Sequence, residues 1–186
     1  MLRDAKYSNA IISGIGFVAA CILLSSVNSL TGIRAETISF FYKQVALLVG
    51  SVTFYGMTLV GHIWGFARLG SDNRNPILRY ASLSLMVGIC LLIGLLVVDL
   101  YTVALRSEIE ILDMIIGLNY LLFIIFPSIF FGFALLRMYG KYGVCVIPSA
   151  VLVPAALYFI WEPWLAAFIM LGSVYLLYKS ARETQL

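Results

Sequence analysis

Residues 80–98 read YASLSLMVGICLLIGLLVV and contain no charged side chain. A helix that crosses a bilayer needs about 20 mostly apolar residues, so this stretch is long enough to span one. In hydrocarbon the backbone must satisfy its own hydrogen bonds, which a helix does. A β-barrel would show alternating runs of about 10 residues, whereas the apolar run Leu91–Val98 is continuous. The stretch therefore predicts a transmembrane helix.

Five further charge-free stretches resemble it. Of the 186 residues, 62% are hydrophobic and 11% are charged, whereas soluble domains have about 45–50% apolar and about 25% charged residues. This composition excludes a water-soluble domain, a disordered tail and a nucleic-acid-binding arm. The sequence predicts an all-α integral membrane bundle, one polytopic domain over residues 1–186. Its six transmembrane helices are predicted at about residues 10–30, 44–66, 80–103, 110–136, 142–161 and 164–178.

Basic residues indicate the orientation of the spans. Of the 12 Lys and Arg residues, three fall on one predicted side of the membrane, Arg34, Lys43 and Arg106. The others lie at the two termini and in the second-to-third and fourth-to-fifth connections. The positive-inside rule then predicts cytoplasmic N- and C-termini, and we expect a prokaryotic cytoplasmic membrane. The first stretch is expected to be retained, because Ile33-Arg34-Ala35 is a poor signal-peptide cleavage site.

Proline and asparagine mark the connections. Asn75 and Pro76 are predicted as the N-cap and first residue of the third helix. Pro148 and Pro154 are predicted to kink the fifth helix, since each removes a backbone donor. Glu162 lies in the turn before Pro163, and a fifth-to-sixth hairpin that stops short of the outer surface would bury this carboxylate.

Two carboxylates near the outer surface form the first candidate site. Asp99 is near the end of the third predicted helix, Asp113 is near the start of the fourth, and counting from the short loop between them gives similar depths. Two close carboxylates in a partly dry site do not both ionise readily, so one would hold a proton or the pair would bind a cation. In the alternative, both face interfacial water or Arg106 neutralises one.

Polar residues on the second helix form the second candidate. Ser51, Tyr55, Thr58 and His62 recur on one helical face, and this face must look into the bundle or a water-filled cavity. His62 could relay protons or simply hydrogen-bond a neighbouring helix. Gly61 and Gly65 lack side chains and so allow a neighbouring helix to approach closely. Asn119, near mid-membrane, needs a partner for its amide, and a structural hydrogen bond is its default interpretation.

Motifs for catalysis, metals and cofactors are not found. The chain has one histidine and three cysteines, each cysteine within an apolar run and none in a C-x-x-C pair. No phosphate-binding, zinc-protease or serine-hydrolase motif occurs. We therefore predict no catalytic residue, no metal site and no cofactor, and an enzyme is the weakest function class.

Small residues on the first helix follow the spacing Ala10-x-x-x-Gly14 and Gly16-x-x-x-Ala20. In this spacing, its size and its six predicted helices, the chain resembles the substrate-binding membrane subunits of energy-coupling-factor vitamin transporters. The resemblance is one of architecture and assigns no role to any residue. It implies a small-solute-binding membrane subunit.

The sequence favours the first of two main function classes, and an intramembrane lipid-modifying enzyme with an open lateral groove beside His62 or Glu162 is a third option. In the first, the chain is a transporter, channel-type protein or solute-binding subunit that moves a small solute or cation through the bundle. The path would pass polar groups at successive depths, namely Asp99, Asp113, Ser51, Tyr55, Asn119, Thr58 and His62. In the second, it is a non-catalytic accessory subunit of a larger membrane complex, and the same groups seal helix interfaces. The expected partners are the lipid bilayer and other membrane subunits or further copies, with no nucleic acid.

Overall fold

A computed structural model describes the backbone of residues 7–31, 38–104, 110–158 and 163–183. Side chains are described for residues 7–27, 45–99, 111–157 and 163–183. Within these ranges the chain is helical and contains no strand. Six helical segments are long and apolar enough to cross a membrane, which confirms the predicted helical class and the number of spans.

The first three spans and the last are single helices, whereas the fourth and fifth are composite. The elements are α1 (Ser8–Thr31), α2 (Ile38–Asp72), α3 (Pro76–Ala104), α4 (Glu110–Asn119), a π-helical segment (Tyr120–Ile125), α5 (Phe126–Leu136), α6 (Tyr139–Tyr142), a 3-10 turn (Gly143–Cys145), α7 (Val146–Tyr158) and α8 (Pro163–Glu183). The fourth span comprises α4, the π-helical segment and α5. The fifth comprises α6, the 3-10 turn and α7.

Helix ends differ from the predicted limits where charged residues occur. α2 continues to Asp72 and α8 to Glu183, beyond the charge-free stretches from which the spans were predicted. Long basic side chains extend to the membrane surface, so a charge does not stop a helix near the interface. Asn75 caps α3 as predicted, because its Oδ1 accepts the Leu78 N–H at 3.1 Å.

The fifth span is interrupted before its prolines. Gly143 has a φ of +69°, a left-handed conformation that glycine adopts at low cost, and it begins the 3-10 turn. Pro148 falls in the first turn of α7, where a missing N–H is tolerated. Pro154 lies inside α7, at a position where a bend is expected.

The spans form a closed ring in chain order. α1 packs against α2 and α8, α2 against α3, α3 against the fourth span, α5 against α7, and α7 against α8. Aromatic side chains fill the interior, and the Phe66 and Phe131 rings meet edge to face at 5.3 Å. The third and fourth spans bury 28% of their apolar windows, against 44% for the first, fifth and sixth. The third and fourth spans therefore leave the largest share of their apolar windows unburied.

Candidate functional site

His62 lies at the junction of three helices. Its side chain is 0% exposed. Nδ1 donates to the Ala10 carbonyl of α1 at 2.9 Å, and Nε2 accepts from the Ser173 hydroxyl of α8 at 2.8 Å. Because a carbonyl only accepts, we assign the neutral tautomer with the proton on Nδ1. Both ring nitrogens thus join α2 to its neighbours.

Glycines allow the helices to approach closely around this histidine. A Cβ on Gly14 would lie 2.7 Å from His62 Nδ1, and one on Gly61 would overlap Ser13. A Cβ on Gly65 would lie 2.5 Å from a methyl group of α1. The predicted close approach at the Gly61 and Gly65 face is confirmed, and it occurs against α1.

Tyr55 joins α2 to the opposite side of the ring. Its hydroxyl donates to the Ala156 carbonyl of α7 at 2.6 Å, and its ring packs on Phe17 at 4.4 Å between centroids. Ser51, one turn earlier, instead donates to the Leu47 carbonyl of its own helix at 2.6 Å. The predicted polar stripe is therefore buried at Ser51, Tyr55 and His62, but its members bind different helices.

Asn119 holds the fourth span against α3. Its Nδ2 donates to the Gly88 carbonyl at 3.2 Å, while Oδ1 has no hydrogen-bond partner among the described residues. A Cβ on Gly88 would lie 2.6 Å from the Phe123 carbonyl oxygen. Pro127 has no N–H to donate to that oxygen in a regular α-helix, and the helix is π-helical just before it. Such π-helical segments are frequent at functional sites.

Asp99 and Asp113 lie beyond this contact, toward the other end of α3 and α4. Asp99 is half-buried and Asp113 is exposed. Measured along the helices from the Gly88 and Phe123 contact, they are about 16 Å and about 15 Å away, consistent with the expected similar depth. That the carboxylates act together stays a prediction. Glu162, the remaining candidate, lies outside the described residues.

The candidates thus form two groups. Ser51, Tyr55 and His62 belong to α2 and the ring interior, whereas Asn119, Asp99 and Asp113 belong to α3 and α4. The described residues contain no cluster of three side chains suited to bind a metal ion. Sequence reasoning missed Ser173, the histidine's partner, because a single serine in an apolar helix carries no distinguishing signal.

Two exposed glycines lie on the surface of α3 and α4. A Cβ on Gly94 or on Gly117 would meet no atom within 4 Å. Each lies six residues from the Gly88 and Phe123 contact, about 9 Å along its own helix, so both have similar depth. We call these two open positions, taken together, the glycine notch. Asp113 precedes Gly117 by one helical turn and shares its face.

Aromatic hydroxyls fasten the opposite, basic end of the bundle. Tyr7 donates to Asp72 Oδ2 at 2.5 Å, and the hydroxyls of Tyr142 and Ser180 lie 3.2 Å apart. Burial, followed by the hydrogen bond and charge of Asp72, raises the pKa of Tyr7 above its ordinary value. These bonds join the ends of α1 and α2, and the fifth span to α8.

Comparisons of the chain with family models, curated proteins and solved structures find no match. The six apolar helices identify it as a polytopic membrane protein in contact with a lipid bilayer.

Proposed function

We propose that this chain is a non-catalytic accessory subunit of a larger membrane complex and that a partner helix packs into the glycine notch. The open space at Gly94 and Gly117 is the observation that carries the proposal. Glycine in a helix interior costs about 1 kcal/mol relative to alanine. A Cβ at Gly14 or Gly88 would overlap a neighbouring helix, so contacts within the chain require these glycines, whereas a Cβ at Gly94 or Gly117 would meet no atom within 4 Å. Small residues permit close approach between membrane helices.

The interior polar side chains already bind other helices of this chain, which favours binding of a partner at the outer surface. His62 and Tyr55 both bind other helices through hydrogen bonds, and Phe66 and Phe131 are fully buried beside them. A path through the ring interior would require these contacts to break. The polar groups of His62 and Tyr55 instead hold the helices of the bundle together, so that α3 and α4 face outward.

Asp113 indicates the chemistry of the partner. It is exposed one turn from Gly117, between Leu112 and Met114, and Met114 is 68% exposed. A carboxylate on an outward face near the membrane is costly unless it is paired or hydrated. We expect an apolar partner helix with a small residue at the notch and a Lys or Arg near Asp113.

The test is purification of the chain from its native membrane in mild detergent, followed by mass analysis of the intact assembly. A Cβ at Gly117 or Gly94 would meet no atom within 4 Å, so folding is expected to persist when Gly117→Leu or Gly94→Leu fills the open space. Gly50→Leu is the matched control, because Gly50 is equally open but lies on α2. A stoichiometric partner that survives Gly50→Leu and is lost in both notch variants supports the proposal. Retention of the partner in the notch variants contradicts it.

Transport is the second candidate, and the unpartnered Asn119 Oδ1 favours it. This acceptor is on the same helix as Asp113 and is buried, and oxygen ligands suit hard cations. A cation or small solute would then pass along the α3 and α4 contact. Asp99→Asn with Asp113→Asn should abolish uptake into liposomes, whereas the control Glu183→Gln, at the basic end, should not. Unchanged uptake in the double variant rejects this path.

A further inference from the structure

A groove between α3 and α5 is separate from the glycine notch and from the contact between α3 and α4. Its volume is about 410 Å³, and its lining includes Pro76, Tyr80, Ala81, Phe126 and Phe130. Tyr80 is 66% exposed and Phe130 is 55% exposed, so the groove opens on the outer surface of the bundle. A volume between about 300 and 1,000 Å³ with apolar and aromatic walls is typical of small-molecule sites.

An arginine flanks the groove at the basic end of the bundle. The Arg79 guanidinium lies 5.9 Å from the Tyr80 ring centre, so this charge sits beside a lining residue. At the same end, just after α5, the Arg137 guanidinium lies 4.7 Å from the Phe133 ring centre. The Asn75 amide donates to the Ala134 carbonyl at 3.3 Å and joins the two helices at this level.

The other charged residues at this end of the bundle are mostly basic as well. Its described basic residues include Arg68, Arg74, Arg79, Arg137, Lys141, Lys179 and Arg182. The described acidic residues there are Asp72, which binds the Tyr7 hydroxyl, and Glu183. Basic residues near a membrane surface attract anionic lipids, and arginine matches phosphate geometry better than lysine.

We propose that this groove is a binding site for an anionic glycerophospholipid, with one acyl chain along Tyr80 and Phe130 and the phosphate at Arg79. The apolar walls suit an acyl chain and exclude a charged peptide. The Arg79 guanidinium, beside the lining residue Tyr80, selects the anionic headgroup through charge-assisted hydrogen bonds. The site is separate from the glycine notch, so the failure of one proposal would not affect the other.

Quenching of a tryptophan at position 80 by brominated lipids measures binding directly. The reporter is Tyr80→Trp in a chain with Trp64, Trp161 and Trp164 changed to Phe, and tryptophan preserves an aromatic face for Arg79. The protein is placed in phosphatidylcholine vesicles that contain phosphatidylglycerol or phosphatidylcholine with brominated acyl chains. We expect phosphatidylglycerol to bind about fivefold more tightly, as one arginine near a membrane surface provides.

Matched variants separate the headgroup from the acyl chain. Arg79→Gln should remove most of the preference and Arg79→Lys should keep part of it. Arg68→Gln, an equal loss of charge on α2, should preserve it. Ser84→Phe narrows the groove and should reduce quenching by both lipids. Equal quenching by the two lipids, a preference that survives Arg79→Gln, or unchanged quenching in Ser84→Phe overturns the proposal.

Discussion

Substituting Gly88 and Gly94 with alanine should have opposite effects on stability, although both glycines lie on α3. A Cβ on Gly88 would lie 2.6 Å from the Phe123 carbonyl oxygen and 2.7 Å from the Phe123 Cβ. Carbon atoms pack best at about 3.5–4.0 Å, so the fourth span would have to move by about 1 Å. A Cβ on Gly94 meets no atom within 4 Å.

The expected magnitudes follow from these contacts. Overpacking costs about 1–3 kcal/mol, and movement of the fourth span also weakens the Asn119 hydrogen bond to Gly88, worth about 0.6 kcal/mol in a membrane protein. The better helix propensity of alanine returns about 1 kcal/mol. Gly88→Ala should therefore lower the free energy of unfolding by about 0.6–2.6 kcal/mol. Gly94→Ala should raise it by up to about 1 kcal/mol.

The assay is unfolding of the isolated chain in mixed micelles by increasing the fraction of dodecyl sulfate, with helicity followed by circular dichroism. The two variants are compared with the wild type under identical conditions. A Gly88→Ala protein as stable as the wild type would refute the close contact at Phe123. A comparable loss in Gly94→Ala would refute the open notch.

Three further predictions concern buried polar groups. His62→Phe removes two interhelical hydrogen bonds and should lower the free energy of unfolding by about 1–3 kcal/mol in the same assay. Ser173→Ala, which removes one of the two bonds, should cost about half as much. A loss below about 0.5 kcal/mol for His62→Phe would contradict the three-helix junction. Tyr55→Phe should cost about 0.6–1.7 kcal/mol, because the ring packing remains and only the bond to α7 is lost; an unchanged transition argues against that bond. Because the pKa of Tyr7 is raised, the folded chain keeps a proton that the unfolded chain releases at high pH. The contribution of Tyr7 to the free energy of unfolding is therefore fully present below the ordinary tyrosine pKa of about 10 and falls as pH rises above it. Unfolding measured between pH 8 and 11 should show this decline in the wild type and a smaller one in Tyr7→Phe.

Local features of the sequence are sufficient to predict the spans. The apolar stretch at residues 80–98 predicts α3, because apolar length is a property of the chain alone. Asn75 and Pro76 likewise predict its start, since an N-cap involves only neighbouring residues. The π-helical segment before Pro127 was not predicted, because apolar composition does not distinguish it from an α-helix. Pro127 is its one local signal.

The candidate site depends on contacts between distant residues. The position of His62 on a polar helical face left a proton relay and a structural hydrogen bond open. The choice depends on Ala10 and Ser173, which are far from it in sequence and reach it only when α1 and α8 pack. The glycine notch is equally invisible in sequence, because Gly94 looks like Gly88 until the neighbouring helices are in place.

The most direct test of the accessory-subunit proposal is the mass of the assembly purified gently from its native membrane, with Gly117→Leu measured alongside. The account predicts a stoichiometric foreign membrane subunit with the wild-type chain and its loss in the variant. A wild-type chain that is alone or assembled only with its own copies would contradict the account.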